Sequence, residues 1–190
     1  MVEKVNIPEI SQKHLHGIKD LTVEDINKIL DLSSFFKISN KEKDKNYPIL
    51  KGRTIINLFF EPSTRTLISF EIAAKRLGAD VINMNIENSS LRKGESLHDT
   101  AQTLGAMNPD LVVIRHGVDD ASKKIAEIVS CPVINAGEGI NEHPTQALLD
   151  AYTIINNKRS LENITVSICG DLEHSRVARS NYYLLKKMKS

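Results

Sequence analysis

TIINLFFEPSTRTLISFEIAAKRLG, residues 54–78, decides the fold. Thr54 to Phe60 is an apolar run of strand length. Leu67, Phe70, Ala74 and Leu77 then recur at helical spacing, and Gly78 ends that helix. Between the two, Pro62 turns the chain and Ser63 is placed to cap the helix. The same strand–helix alternation continues downstream. Strands are expected at Asp80 to Met84, Leu111 to Ile114 and Pro132 to Asn135, and helices at Glu95 to Met107, Ala121 to Val129 and Pro144 to about Asn156. Upstream, Thr22 and Asp25 look like a helix cap ahead of Ile26, Ile29 and Leu30, and Asn40 to Asn46 (NKEKDKN) reads as a solvated loop. Continuous apolar strands suit a parallel sheet covered on both faces. The fold class expected is therefore α/β, a doubly wound parallel sheet with helices on both faces. A fifth strand is expected over Ile164 to Gly170, with a helix from about Ser175. One βα unit cannot bury its own faces, so this pair reads as the opening of a second α/β domain.

Composition narrows the function classes. The chain has 190 residues, with 25 Lys and Arg against 24 Asp and Glu, for a net charge of +1. That balance supplies no field for a polyanion, so no nucleic-acid partner is expected. No apolar run has membrane-spanning length, and Met1 to Lys4 do not lead into an apolar signal core, so neither membrane association nor secretion is expected. The two cysteines, Cys131 and Cys169, both sit beside strand-like residues and read as buried free thiols, and two cysteines with scattered histidines do not make a metal site. A cytoplasmic location follows.

Polar chemistry collects where strands end. At Ser63-Thr64-Arg65-Thr66 a helix N-terminus offers unpaired amides, hydroxyls and a guanidinium, a set suited to phosphate oxygens. Spacing alone fits an ordinary serine cap and a surface arginine equally well. Position tips the balance, because ligands of open α/β sheets lie beyond the carboxyl ends of the strands. Arg115-His116 follows the third strand. The loop Asn135 to His143 follows the fourth, and His143 and Gln146 share a face at the next helix start. Taken singly, a histidine before a proline is more often only a cap. Ser89 to Glu95 forms a polar loop with Lys93 and Gly94, which composition alone reads as solvated. Gly170 to Arg176 lacks the three-glycine spacing of a dinucleotide site.

Together, FFEPSTRT with SFE, SSLRKGES, HPTQALLD and GDLEHSR, in this order, resemble the catalytic chains of the aspartate/ornithine carbamoyltransferase family, on its aspartate side. Lys93 and Thr145 favour that side over the ornithine enzymes. The resemblance implies transfer of a carbamoyl group from carbamoyl phosphate to L-aspartate, giving N-carbamoyl-L-aspartate and phosphate in pyrimidine (UMP) synthesis, with no cofactor and no metal. It places carbamoyl phosphate on Ser63, Thr64, Arg65, Thr66, Arg115, His143 and Gln146, with Arg65, Thr66 and His143 as the catalytic donors. It gives Ser90 and Lys93 to a loop reaching a neighbouring subunit's site in a homotrimer, and Arg176 to aspartate. A regulatory chain is a further partner of the family. Residues 1–150 correspond to its carbamoyl-phosphate domain and 151–190 to a bridging helix and the start of an aspartate domain. The family's later Arg-x-Gln and Pro-Leu-Pro elements have no counterpart, so the chain reads as truncated and its activity as impaired. The alternatives are a non-catalytic carbamoyl phosphate-binding fragment and an ornithine carbamoyltransferase.

Overall fold

A computed structural model describes residues 5–85 and 96–189. Its centre is a four-stranded sheet: β1 (Thr54–Phe59), β2 (Asp80–Asn85), β3 (Leu111–His116) and β4 (Val133–Glu138). The spatial order is β2-β1-β3-β4 and every pairing is parallel. The chain moves from β1 outward to β2, then crosses back to place β3 on the other side of β1. The crevice between the ends of β1 and β3 is thus the topological switch point, where open parallel sheets hold ligands. The N-terminal segment extends the β4 edge: Leu15 bridges Ile134, and the Asn135 amide donates to the Leu15 carbonyl at 2.9 Å.

Six α-helices accompany the strands among the described residues: α1 (Val23–Ser39), α2 (Thr64–Arg76), α3 (Leu97–Ala106), α4 (Ala121–Ala126), α5 (Pro144–Lys158) and α6 (Arg176–Lys187). Alternation along β1 divides the core. Ile56 and Leu58 pack with Val112, Ile114 and Val133 against Ala101 and Leu104 of α3 and Ile125 of α4. Ile55 and Phe59 face the other way with Val113 and Ala136, against Ala74, Leu67 and Phe70 of α2. Helices therefore cover both faces, as the largely apolar central strands require. A further cluster joins Ile26 and Leu30 of α1, Ala147, Leu148 and Ala151 of α5, and Leu184 and Leu185 of α6 around Ile18 and Leu21.

Local chemistry accounts for the ends of these elements. The expected Thr22 cap forms as a reciprocal capping box with Asp25. Gly78 follows α2 at φ +85°, a conformation that suits glycine. Helix α3 starts at Leu97 because Ser96 and Asp99 make a second capping box, and Glu95 lies outside the described residues. Helix α4 is shorter than expected, closing after Ala126 in a turn with the Ile128 amide on the Ile125 carbonyl. Strand β4 is longer than expected. A register shift between Ile114 and His116 lets it pair on to Glu138, past Gly137.

The fifth strand does not form. Residues 164–170 have no strand structure and are mostly exposed. The sequence has strand character, but no neighbouring strand takes up its backbone groups, and a lone strand has nothing to hold it. Cys169 lies on this run and is exposed, against expectation, while Cys131 is buried.

Candidate functional site

Arg115, His143 and Arg176 converge on one backbone position, Gly137. A methyl group placed on Gly137 would lie 2.9 Å from Arg115 Nη1, 3.2 Å from Arg176 Nε and 3.2 Å from His143 Cδ2. Gly137 sits at φ +107° near the end of β4, so neither the space nor the backbone conformation suits a side chain. Three elements meet here for topological reasons. Arg115 is on the last turnless residues of β3, His143 is the N-cap of α5, and Arg176 is the first residue of α6.

Each group has a defined hold. Arg115 Nη1 donates to the Ala136 carbonyl at 3.1 Å, and Arg176 Nη1 to the Gly139 carbonyl at 3.2 Å. Glu61, in the turn after β1, joins the two: its Oε2 accepts from Arg176 Nη2 at 2.9 Å and lies 3.5 Å from Arg115 Nε. Arg115 Nε is buried without a hydrogen bond among the described residues. Burial, then the neighbouring Arg176, push the Arg115 pKa down, and Glu61 opposes them. His143 is 7% exposed, and burial, followed by Arg115 and Arg176, pushes its pKa down to about 4. Its imidazole is therefore neutral near pH 7. The His143 amide donates to Ser180 Oγ at 2.8 Å, and that hydroxyl donates to the buried Glu142 carboxylate at 3.1 Å, which ties α5 to α6.

The β1–α2 turn adds a helix N-terminus, the kind of place that suits an anion. Ser63 occupies the N-cap position of α2 but does not cap it. Its hydroxyl instead donates to Thr66 Oγ1 at 2.9 Å. The first-turn amides of this 13-residue helix have no side-chain acceptor among the described residues, an arrangement that suits an external anion. Thr64 and Arg65 are exposed on the same turn. Among the described residues no hydrogen bond or ion pair joins the Arg65 side chain to the Gly137 cluster, so the structure gathers Arg115, His143 and Arg176 more closely than it gathers Arg65. Gln146 is one turn into α5. Its Nε2 donates to Asp150 Oδ1 at 2.9 Å, and Asp150 Oδ2 accepts from Asn181 Nδ2 at 2.7 Å. That bond leaves the carboxamide oxygen of Gln146 as its acceptor end. Ser90 and Lys93 lie outside the described residues.

Two participants were not singled out from sequence, Glu61 and Gly137. Glu61 stands inside the FFEPSTRT motif, and a carboxylate beside an anion-binding turn is the signal that marks it. Gly137 has a weaker signal, one glycine of the pair flanking Glu138.

A family model described as aspartate/ornithine carbamoyltransferase, carbamoyl-P binding domain, matches residues 13–156. The aspartate carbamoyltransferase catalytic subunit of Pelagibacter ubique is 57% identical over 189 residues, covering 99% of this chain and 60% of the relative. That of Parvibaculum lavamentivorans is 55% identical over 186 residues, covering 98% and 57%. The chain thus spans less than two thirds of the length of these relatives. Among solved structures, Trypanosoma cruzi aspartate transcarbamoylase with carbamoyl aspartate and phosphate superposes with a TM-score of 0.91 at 36% identity, covering 100% of this chain and 61% of that one. The same enzyme with carbamoyl phosphate and aspartate gives 0.88 at 37%, covering 97% and 58%. With its parallel sheet, its polar switch point and these relatives, the chain belongs to the aspartate/ornithine carbamoyltransferase family, through that family's carbamoyl-P binding domain.

Proposed function

We propose that this chain is the carbamoyl phosphate-binding part of an aspartate carbamoyltransferase, and that it serves the transfer of a carbamoyl group to the amine of L-aspartate in pyrimidine (UMP) synthesis. The observation that carries the reading is the convergence of Arg115, Arg176 and His143 on Gly137, at the switch point beside the open first turn of α2. The names of the relatives select aspartate as the acceptor.

The chemistry follows from the donors. Carbamoyl phosphate carries a dianionic leaving group, matched by the α2 amides, the Ser63 and Thr66 hydroxyls, Arg65 and Arg115. Attack by the amine forms a C–N bond and puts negative charge on the carbamoyl oxygen. A neutral His143 donates one N–H there, joined by Arg65 and Thr66. The carbamoyl NH2 meets the free oxygen of Gln146. Cleavage of the C–O bond releases phosphate, which leaves with the proton from the amine. No covalent enzyme intermediate, metal or organic cofactor enters this sequence, so the gain in rate comes from positioning and electrostatics. Arg176, already partnered with Glu61, stands on α6 to meet the aspartate carboxylates.

In this reading residues 1–150 form the carbamoyl phosphate domain and 151–190 open the aspartate domain. The chain works in the cytoplasm as a homotrimer, with Ser90 and Lys93 reaching a neighbouring site and a regulatory chain as a further partner. No helix among the described residues is long and apolar enough to cross a membrane. Calorimetry tests binding. Carbamoyl phosphate should bind more tightly than inorganic phosphate, and Arg115→Ala should weaken it by about 1.5–3 kcal/mol, the range for a hydrogen bond to a charged group. Turnover of aspartate but not ornithine, measured on this chain and on a form extended to the length of the relatives, tests the reaction. The unpaired run at 164–170 favours a second reading, a fragment that binds without turning over. Binding with no turnover in either form would establish it, and ornithine turnover would replace both readings.

A further inference from the structure

Beneath the site loop lies a buried carboxyl that the reaction does not use. Glu138 stands between Gly137 and Gly139, both at positive φ, and is 1% exposed. The carbonyls near it hold the site arginines, Ala136 that of Arg115 and Gly139 that of Arg176. The Glu138 side chain is held elsewhere. Its Oε2 accepts from the Ser122 amide at the start of α4 at 2.8 Å. The Ser122 hydroxyl lies 3.0 Å from His16 Nδ1 on the N-terminal segment. The other oxygen, Oε1, is buried with no hydrogen-bond partner among the described residues.

We infer that Glu138 is a positioning residue for the arginine pair: anchored to the Ser122 amide, it fixes from inside the loop whose carbonyls orient Arg115 and Arg176. A half-satisfied buried carboxyl is a poor device for stability, since an apolar residue of similar volume avoids its desolvation. Burial pushes its pKa up, and Asp120 adds to that against Lys123 and Ser122. What the carboxyl supplies is an acceptor at one point. The loop needs one, because two glycines at positive φ leave its backbone freer than any other pair of residues would. Its other anchors act on amides: Asn135 Oδ1 takes that of Gly137, the Glu142 carbonyl that of Glu138, the His116 carbonyl that of Gly139, and Asp119 Oδ1 those of Ile140 and Asn141. Among the described residues, the Glu138 carboxyl is what hydrogen-bonds this loop to α4.

The bearing of this on substrate rests on the function proposed above, so the test reads the arginines with and without ligand. Glu138→Leu removes the acceptor and Glu138→Gln keeps it. In the ligand-free chain, the Nε–Hε NMR signals of Arg115 and Arg176 should shift or broaden in the leucine variant and stay in place in the glutamine variant. Carbamoyl phosphate, followed by calorimetry, should bind the leucine variant about tenfold more weakly, the ratio equivalent to one lost hydrogen bond. The glutamine variant should bind as the unaltered chain does. Unchanged arginine signals and affinity in Glu138→Leu would overturn the inference. So would a glutamine variant as impaired as the leucine one, because charge rather than the acceptor would then matter. If the unaltered chain binds no carbamoyl phosphate while the leucine variant still moves both signals, the positioning role stands and the proposed function fails. Glu138→Met, a more adaptable apolar chain, takes the place of the leucine variant if that one does not fold.

Discussion

Gly137 is the smallest residue in the site and one of the least replaceable. At φ +107° an alanine would be strained, and its methyl would meet Arg115 Nη1 at 2.9 Å. Gly137→Ala should cost about 1–3 kcal/mol of stability, the range for backbone held in a sparsely populated region. It should also weaken carbamoyl phosphate binding, because the arginine must move away; urea unfolding and calorimetry check the two effects separately. His143 makes a prediction about pH. Its pKa in the folded chain, pushed down to about 4, lies below the ordinary histidine value of 6.5. Between those values the unfolded chain binds a proton that the folded chain excludes, so stability falls as pH drops from 6.5 toward 4 and levels off below that. His143→Gln abolishes this contribution. Between pH 7 and 4.5 the variant should therefore lose roughly 2 kcal/mol less than the unaltered chain. Equal losses in urea unfolding would refute a neutral buried imidazole.

Among the elements, the strands and helices that bury a face on both sides were legible in the sequence, and the exceptions have physical causes. Thr54 to Phe60 and Leu111 to Ile114 are largely apolar because helices cover both faces of the sheet, and that pattern survives without knowledge of neighbours. Ile164 to Gly170 carries the same pattern, but a strand is a property of a pair, and pairing is not written in one segment. Residues 166–169 should accordingly exchange their amide hydrogens fast, while Val112 and Val113 of β3 stay protected. The thiols report the same difference: Cys169 should react with a thiol reagent in the folded chain while Cys131, buried and with its pKa raised by burial, waits for unfolding. Protection and silence at Cys169 would mean that this run has found a partner strand. The site was legible in the same uneven way. Arg115 and His143 were singled out because strand ends and helix starts are readable places, and Arg176 only through the family resemblance; the structure brings the three together at Gly137. Glu61 and the Gln146–Asp150 bond were not, because which polar groups pair across the fold depends on distances that spacing along the chain does not encode.

At the scale of the whole molecule the charge is nearly balanced, so attraction for an anion comes from the local cradle and not from the overall field. What the described residues do show is an apolar stretch beside the sheet edge. Strand β2 ends the sheet and exposes Ile82, while α2 beside it exposes Ile68 and Ile72. Exposed apolar side chains of this kind suit contact with another copy. A closed trimer in which each site takes Arg65 from one chain and Lys93 from the next has a consequence that a set of independent sites lacks. In a form extended to the length of the relatives, Arg65→Ala and Lys93→Ala should each abolish most turnover. Mixed after denaturation and joint refolding, they assort at random. A site is then intact only when a chain with native Arg65 meets a neighbour with native Lys93, which happens in about a quarter of cases for an equal mixture. Turnover should recover to about that fraction of the unaltered enzyme. Recovery requires that one site draw on two chains, because no single chain in the mixture carries both residues. A mixture that stays as inactive as its components, while sedimenting as a trimer, would place Arg65 and Lys93 in the same chain's site or remove one of them from it.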